Sequence, residues 1–332
     1  MAITQRISSV SQLEEVRKGC VLTIGNFDGV HVGHRQILAA AEEAAAQRET
    51  QLLVMTFEPH PLAVLRPEKA PGVLTPLALK ERLLTELGAD CILVVESTSE
   101  LLSLSAEGFV RRFLVENILP SLVVEGESFN FGSGRSGGIS TLQELGVENG
   151  FDVSVVAAKE VALSAGRSVT VSSTIIRTLL ANGDVADAAV ALGRPYRLME
   201  RIIAGRGKGR RLGFPTANMK LPGQVIPAHG VYAGFAEVAD TPGQLLSAEA
   251  KSPAAFSIGT SATFGDENPL LIEAHLLTGG VGRLYDKWLA MDFVKRIRHQ
   301  KKFKSESELS AQIAKDCEKA RIFLAGEPHS GE

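Results

Sequence analysis

The chain has 332 residues, and because domains of about 100–200 residues are usual, this length predicts two domains. Hydrophobic residues make up 45% and the formal net charge is −3, which fits a globular protein and argues against a nucleic-acid binder with its basic excess. Short apolar runs, no apolar signal-peptide core and three widely spaced cysteines predict a cytoplasmic protein without a membrane segment.

In the first half of the chain, apolar runs of strand length alternate with helical patterns. The predicted strands are residues 21–24, 52–57, 91–95, 122–124 and 153–157. The predicted helices are residues 35–47, 77–87 and 107–117. Continuous apolar strands separated by helices predict a parallel sheet covered on both faces, so we expect a doubly wound, Rossmann-like α/β domain.

The second half has a different texture, because glycine and proline punctuate short β-rich runs. A helical stretch at residues 173–191, interrupted at 182–184, precedes it. The predicted strands are residues 198–204, 231–238, 254–258, 270–277 and 288–294. This spacing favours an antiparallel barrel, followed by an amphipathic helix at 306–324, while the polar residues 241–253 are expected to form a loop. We place the domains at 1–185 and 186–332.

The turn after the first strand carries the first candidate site. It reads Gly-Asn-Phe-Asp-Gly-Val-His-Val-Gly-His from Gly25 to His34 and leads into the first helix. Ligands of open α/β sheets bind at the carboxyl ends of the strands, where a helix N-terminus offers free N–H groups to phosphate. His31 and His34 could donate hydrogen bonds to charge developing on phosphorus. A metal site is the alternative, although no third ligand lies nearby in sequence.

These residues resemble the adenylyltransferase module of bacterial FAD synthetases, within the nucleotidyltransferase superfamily. Residues 56–61, 126–132 and 172–177 fit the same family in order. The resemblance implies catalytic roles for His31 and His34 and flavin binding by Phe129. It implies ATP binding by residues of the first turn and of the Ser-Ser-Thr-Ile-Ile-Arg motif, namely Gly25, Asn26, Phe27, Asp28, Gly29, His31, Gly33, His34, Ser172, Ser173, Thr174 and Arg177.

A second candidate site follows at residues 205–218, where glycines alternate with arginine and lysine before Gly-Phe-Pro-Thr-Ala-Asn. Such a loop suits phosphate, although a basic surface loop has the same composition. In an extended segment, Thr216 and Asn218 point to the same side, and their oxygens suit a Mg²⁺ that also binds nucleotide phosphates. Glu273, inside an apolar run, is either a solvated side chain or a general base.

This second segment resembles the riboflavin kinase signature, and the chain from Leu192 to Phe303 fits that family in order. The resemblance implies a six-stranded barrel with a C-terminal helix, Mg²⁺ binding by Thr216 and Asn218, and a general base at Glu273. It assigns flavin binding to Arg298. The implied ATP-binding residues of the kinase are Gly205, Gly207, Lys208, Gly209, Thr216 and Asn218.

Together the two resemblances imply an enzyme that converts riboflavin to FMN and FMN to FAD with two molecules of ATP. A kinase with a degenerate first domain is an alternative, because Ser128 and Thr170 depart from the adenylyltransferase pattern. A non-catalytic flavin-binding protein is another, because Ser257 and Gln300 depart from the kinase pattern. A different nucleotidyltransferase would leave the second domain unexplained. Riboflavin, FMN and ATP are the expected partners, and the oligomeric state stays open.

Overall fold

The structure is a computed structural model that describes residues 3–7, 18–164, 166–205, 207–247, 251–260, 269–278 and 284–326. Its contacts divide the chain into two compact units. The first holds the described residues up to Ala162 together with Gly166–Ser173, and the second holds Leu163 and Ser164 together with the described residues from Thr174 onward. None of the helices in these ranges is long and apolar enough to cross a membrane.

A parallel sheet forms the centre of the first unit. Its strands are β1 (Ile3–Ile7), β2 (Val21–Ile24), β3 (Leu52–Glu58), β4 (Cys91–Glu96), β5 (Leu122–Gly126) and β6 (Asp152–Val156). Their order across the sheet is β1-β4-β3-β2-β5-β6, and every neighbouring pair is parallel. The strand order therefore reverses between β2 and β5, and a sheet of this kind binds its ligands outside the carboxyl ends of the strands at that point.

The helices of this unit lie between the strands. They are α1 (Val32–Gln47), α2 (Pro61–Leu65), α3 (Leu77–Glu86), α4 (Ser99–Ser103), α5 (Ala106–Gly108) and α6 (Ile139–Asn149). A π-helical segment, Phe109–Val115, continues α5 and places Phe109 and Phe113 in the apolar core beside β2, β3 and β5. The doubly wound α/β prediction is confirmed. The short antiparallel pair β7 (Glu160–Ala162) and β8 (Ser168–Thr170) was not predicted.

A closed antiparallel barrel forms the centre of the second unit and confirms the predicted architecture. Its strands are β9 (Tyr196–Ile203), β10 (Ala217–Met219), β11 (Gly230–Ala239), β12 (Ser252–Thr260), β13 (Leu270–Leu276) and β14 (Trp288–Arg298). Within the described residues the order is β10-β13-β12-β11-β14-β9, and β9 closes on β10. Tyr232, Phe256 and Phe293 fill the interior and are at most 2% exposed, so large aromatic rings make up much of this core.

Five helices accompany the described part of the barrel. They are α7 (Ser173–Asn182), α8 (Val185–Leu192), α9 (Lys208–Arg211), α10 (Pro242–Ser247) and α11 (Glu306–Ala325). Arg296 on β14 donates to Asn182 O at 2.6 Å and pairs with Asp184 at 3.6 Å, which ties the α7–α8 junction to the barrel. The prediction that residues 241–253 form only a loop was wrong, because α10 begins at Pro242 and buries Leu245.

Candidate functional sites

The first site begins at the N-terminus of α1, where His31 is the helix cap. Its Nδ1 accepts a hydrogen bond from the His34 backbone N–H at 3.2 Å, and it is 6% exposed. The His31 and His34 rings are stacked with centroids 3.6 Å apart, and the His34 ring meets Phe27 edge-on at 5.1 Å. The cap and the stacking hold both imidazoles together at the N-terminus of the helix, a position that suits phosphate.

Hydrogen bonds from three other segments anchor this turn. Gly25 N donates to Met55 O at 3.0 Å, and Thr56 Oγ1 donates to Asn26 O at 3.2 Å. The Asp28 carboxylate accepts from Leu74 N and Thr75 N at 2.9–3.1 Å, and Asp28 O accepts from Ser173 Oγ at 2.7 Å. The turn also contains left-handed backbone at Phe27, Gly29 and Val30, with φ of 46°, 94° and 41°. Such backbone persists only where its surroundings fix it, and these bonds supply that constraint.

The structure brings some of the predicted ATP-binding residues together. Residues 25–34 and Ser172–Ser173 meet through the Ser173–Asp28 hydrogen bond, and α7 begins at Ser173 as the motif predicts. Thr174 and Arg177 belong to the second unit, so their ATP-binding roles stay predictions. Phe129 is half-buried and stacks on Phe131 at 5.5 Å, and its flavin-binding role also stays a prediction.

A small polar pocket beside the turn was not predicted from the sequence. It is lined by Asn26, Asp28, Phe57, Glu58, His60, Pro71, Val73, Thr75 and Lys80. Lys80 is 4% exposed, and burial lowers the pKa of its ammonium, although Glu58 and Asp28 oppose that shift. The Asn26 Oδ1 atom is buried and has no hydrogen-bond partner among the described residues. The pocket therefore places a donor and an acceptor beside the turn that carries the histidines.

The second site forms where β10 and β13 pair in the barrel. Thr216 Oγ1 donates to Glu273 Oε1 at 3.2 Å, and Asn218 lies directly opposite Glu273 in the strand register. Burial raises the pKa of the Glu273 carboxyl, and the Thr216 hydrogen bond lowers it by a smaller amount. A hydroxyl, an amide and a carboxylate thus converge. The hydroxyl and amide oxygens of Thr216 and Asn218 are hard ligands of the kind that Mg²⁺ prefers, so these two residues fit the expected metal.

The glycine-rich loop approaches this cluster closely. A Cβ added at Gly205 would overlap the Asn218 side-chain amide, and one at Gly209 would overlap Phe214 O and lie 3.2 Å from Thr216 Oγ1. The absence of side chains therefore lets the loop backbone lie directly against the residues expected to bind metal. Gly207 has φ of 69°. Arg206 and the side chain of Lys208 lie outside the described residues, so the role predicted for Lys208 stays a prediction.

The segment that follows β14 contacts strand β12 of the barrel. Gln300 Nε2 donates to Ser257 Oγ at 3.3 Å and to Ile258 O at 3.0 Å, and Ser257 is the register partner of Glu273. Ser257 and Gln300, two of the residues that depart from the kinase pattern, therefore contact each other although they are far apart in sequence.

Arg298 makes its main contact with α11. Its Nε and Nη2 donate to the buried Asp316 carboxylate at 2.7–3.1 Å, and its guanidinium lies 5.7 Å from the centre of the Phe303 ring. Its predicted flavin-binding role stays a prediction. Asp316 itself, which fixes Arg298 in place, was not identified from the sequence.

Fold and sites together define a two-domain enzyme, with a nucleotidyltransferase-type turn on a parallel sheet and a kinase-type oxygen cluster in a barrel. The family model for FAD synthetase matches residues 13–174, and the model for riboflavin kinase matches residues 192–324. The two matches together cover most of the chain, in the order that the sequence predicts.

Known proteins with both modules are similar to nearly the whole chain. The bifunctional riboflavin kinase/FMN adenylyltransferase of Escherichia coli K12 is 39% identical over 324 residues, 98% of each chain. The Pseudomonas fluorescens protein of the same name is 37% identical over 325 residues, 98% of this chain and 99% of its own. The chain belongs to the family of bifunctional riboflavin kinase/FMN adenylyltransferases.

A solved structure agrees with this fold. It is described as a macrolide-efflux protein from Streptococcus pneumoniae, is 27% identical, and superposes with a TM-score of 0.81 over 96% of this chain and 99% of its own.

Proposed function

We propose that the barrel phosphorylates riboflavin with ATP and that the sheet domain adenylylates the resulting FMN with a second ATP. The observation that carries the kinase half is the convergence of Thr216, Asn218 and Glu273 beside the glycine-rich loop. Family membership carries the pairing of the two activities on one chain. We further propose that the domains divide between residues 185 and 186, a boundary within the stretch that separates the two family matches, and that the protein acts in the cytoplasm.

In the kinase half, Glu273 acts as the general base. Its carboxylate takes the proton of the ribityl 5′-hydroxyl, whose oxygen bonds to the γ-phosphorus of ATP as the bond to the bridging oxygen breaks and ADP leaves. Thr216 and Asn218 hold Mg²⁺, which when bound neutralises charge on the nucleotide phosphates. The backbone of Gly205, Gly207 and Gly209 approaches the phosphates. Arg298, which lies over the Phe303 ring, binds the flavin.

The adenylyltransferase half needs positioning and charge stabilisation and no covalent enzyme intermediate. An oxygen of the FMN phosphate attacks the α-phosphorus of ATP, and pyrophosphate leaves with the electrons of the broken bond. His31 and His34 donate hydrogen bonds to the charge that builds on the α-phosphate oxygens. The N-terminus of α1, with Ser172, Ser173, Thr174 and Arg177, binds the ATP phosphates, and Phe129 packs against the flavin.

Labelled ATP separates the two steps on the intact chain. With riboflavin and Mg²⁺, γ-labelled ATP is expected to label both FMN and FAD, whereas α-labelled ATP is expected to label FAD alone. Unlabelled FMN supplied with γ-labelled ATP gives unlabelled FAD. A chain that makes labelled FMN but no FAD is a kinase alone, and a chain that makes neither product refutes the proposal. Chelation of Mg²⁺ with EDTA is the matched control and is expected to stop both reactions.

A further inference from the structure

A buried carboxyl bridges the two strands at which the order of the parallel sheet reverses. The backbones of β2 and β5 pair only at Val21–Leu122 and Leu22–Val123. Beyond that point the N–H of Ile24 donates to the Oε1 atom of Glu125 at 2.6 Å. The Glu125 side chain thus joins β2 and β5 beyond the point where their backbones are paired. In a sheet of this topology, ligands bind at this place.

The end of β2 is consequently held from both sides. Ile24 N is bound by Glu125 on the β5 side, and the next residue, Gly25, donates to Met55 O at 3.0 Å on the β3 side. Gly25 opens the turn that ends at the helix cap His31. Any loosening of Ile24 is therefore passed directly to the turn that is proposed to bind ATP.

The surroundings of Glu125 are apolar. It is 3% exposed, and because side chains alternate along a strand it shares a face with Val123, which belongs to the core that contains Leu22 and Ile24. Burial raises the pKa of the Glu125 carboxyl well above its usual range, and the Ile24 hydrogen bond opposes that shift by less. The Ile24 N–H needs an oxygen acceptor, and the amide of a glutamine has the same length and supplies one.

We propose that Glu125 is a positioning residue for adenylyl transfer, whose side-chain oxygen holds the end of β2 and thereby sets the geometry of the ATP-binding turn. The role is not part of the family motifs on which the assignment rests. It depends on the proposed adenylyltransferase activity and deepens it.

The test compares Glu125→Met, which keeps the length of the side chain but removes the acceptor, with Glu125→Gln, which keeps it. An unpaired buried N–H weakens the turn, so Glu125→Met is expected to raise the KM for ATP in FAD formation about tenfold, with kcat within about threefold. Glu125→Gln is expected to restore the KM to within about threefold of wild type. Riboflavin phosphorylation by the same chain is the internal control and is expected to be unchanged in both variants.

Glu127→Met is the matched control, because Glu127 is exposed and lies two residues further on. A wild-type KM for Glu125→Met, equal damage from Gln and Met, or parallel loss of kinase activity would each overturn the proposal. If Glu125→Met does not accumulate in folded form, Glu125→Asp replaces it, since a carboxyl shorter by one methylene withdraws from Ile24 and is expected to raise the KM as well. If the wild-type protein forms no FAD, the adenylyltransferase assignment is refuted. If the wild-type protein forms FAD and Glu125→Met has the same KM for ATP, only the role of Glu125 is refuted.

Discussion

The two candidate sites of this protein are built in opposite ways. The core of the proposed adenylyltransferase site is contiguous in sequence, since residues 25–34 supply the turn, the helix cap and both histidines, and hydrogen bonds from backbone and side-chain groups hold this turn. The kinase site depends on strand pairing, since Thr216 and Glu273 are 57 residues apart and meet only when β10 and β13 align. The first site therefore depends on local backbone geometry, and the second depends on the register of a barrel.

This difference makes the two activities separable by substitution, although they reside on one chain. A change in the turn is expected to affect only FAD formation, and a change in the β10–β13 pair only FMN formation. Each activity thus serves as a folding control for the other.

The largest expected effect comes from removing the proposed base of the kinase. Glu273→Gln keeps the size of the side chain and a carbonyl that can accept from Thr216, but cannot take a proton. FMN formation is expected to fall by about 10²–10⁴-fold, while FAD formation from supplied FMN stays at the wild-type rate. Glu200→Gln, on β9, is the control that is expected to change neither rate. Retained phosphorylation in Glu273→Gln would remove the assigned base and favour a site that acts by positioning alone.

A smaller effect separates the chemistry of His31 from its role as a helix cap. Asparagine is a good N-cap, so His31→Asn removes the imidazole and keeps the capping bond, whereas His31→Ala removes both. Both variants are expected to lose about 10²–10³-fold in FAD formation with unchanged kinase activity. Urea unfolding is expected to show that only His31→Ala loses about 1 kcal/mol of stability. Normal FAD formation by the His31→Asn variant would show that His31 acts only as a helix cap.

The smallest effect probes how closely the glycine-rich loop contacts the kinase cluster. Gly205→Ala adds a Cβ that overlaps the amide of Asn218, so FMN formation is expected to fall about tenfold and FAD formation from FMN to stay unchanged. Gly223→Ala is the matched control, because a Cβ there meets nothing within 4 Å. If the two alanine variants phosphorylate riboflavin at the same rate, the loop is farther from the cluster during catalysis than the structure indicates.

Much of the fold follows from local patterns in the sequence. Buried strands such as Leu52–Glu58 are continuous apolar runs with polar residues or glycine at their ends, and the structure confirms them. The three-residue strand Ala217–Met219 is too short for any period to appear, and extended backbone there is only an assumption behind placing Thr216 and Asn218 on the same side. The helix Ile139–Asn149 was also not predicted, although its Leu142 and Leu145 lie at helical spacing and are buried in the core.

The candidate sites follow the same division. The turn at residues 25–34 could be interpreted from its own residues, because its glycines and both histidines lie within one segment. The Thr216–Glu273 hydrogen bond and the Ser257–Gln300 contact depend on which strands become neighbours, and a single sequence does not specify that register. The sequence also carries no indication of a role for Glu125 or Lys80, because what distinguishes them is their burial beside the turn, which only the folded structure shows.

The helix cap at His31 also determines where that ring carries its proton. Because Nδ1 accepts the N–H of His34, the neutral imidazole must be the tautomer with its hydrogen on Nε2. His31 therefore offers a ligand one N–H donor, on Nε2. A doubly protonated ring could not accept the His34 N–H and would lose the cap, so the start of α1 links the orientation of a proposed catalytic donor to the stability of the helix that follows it.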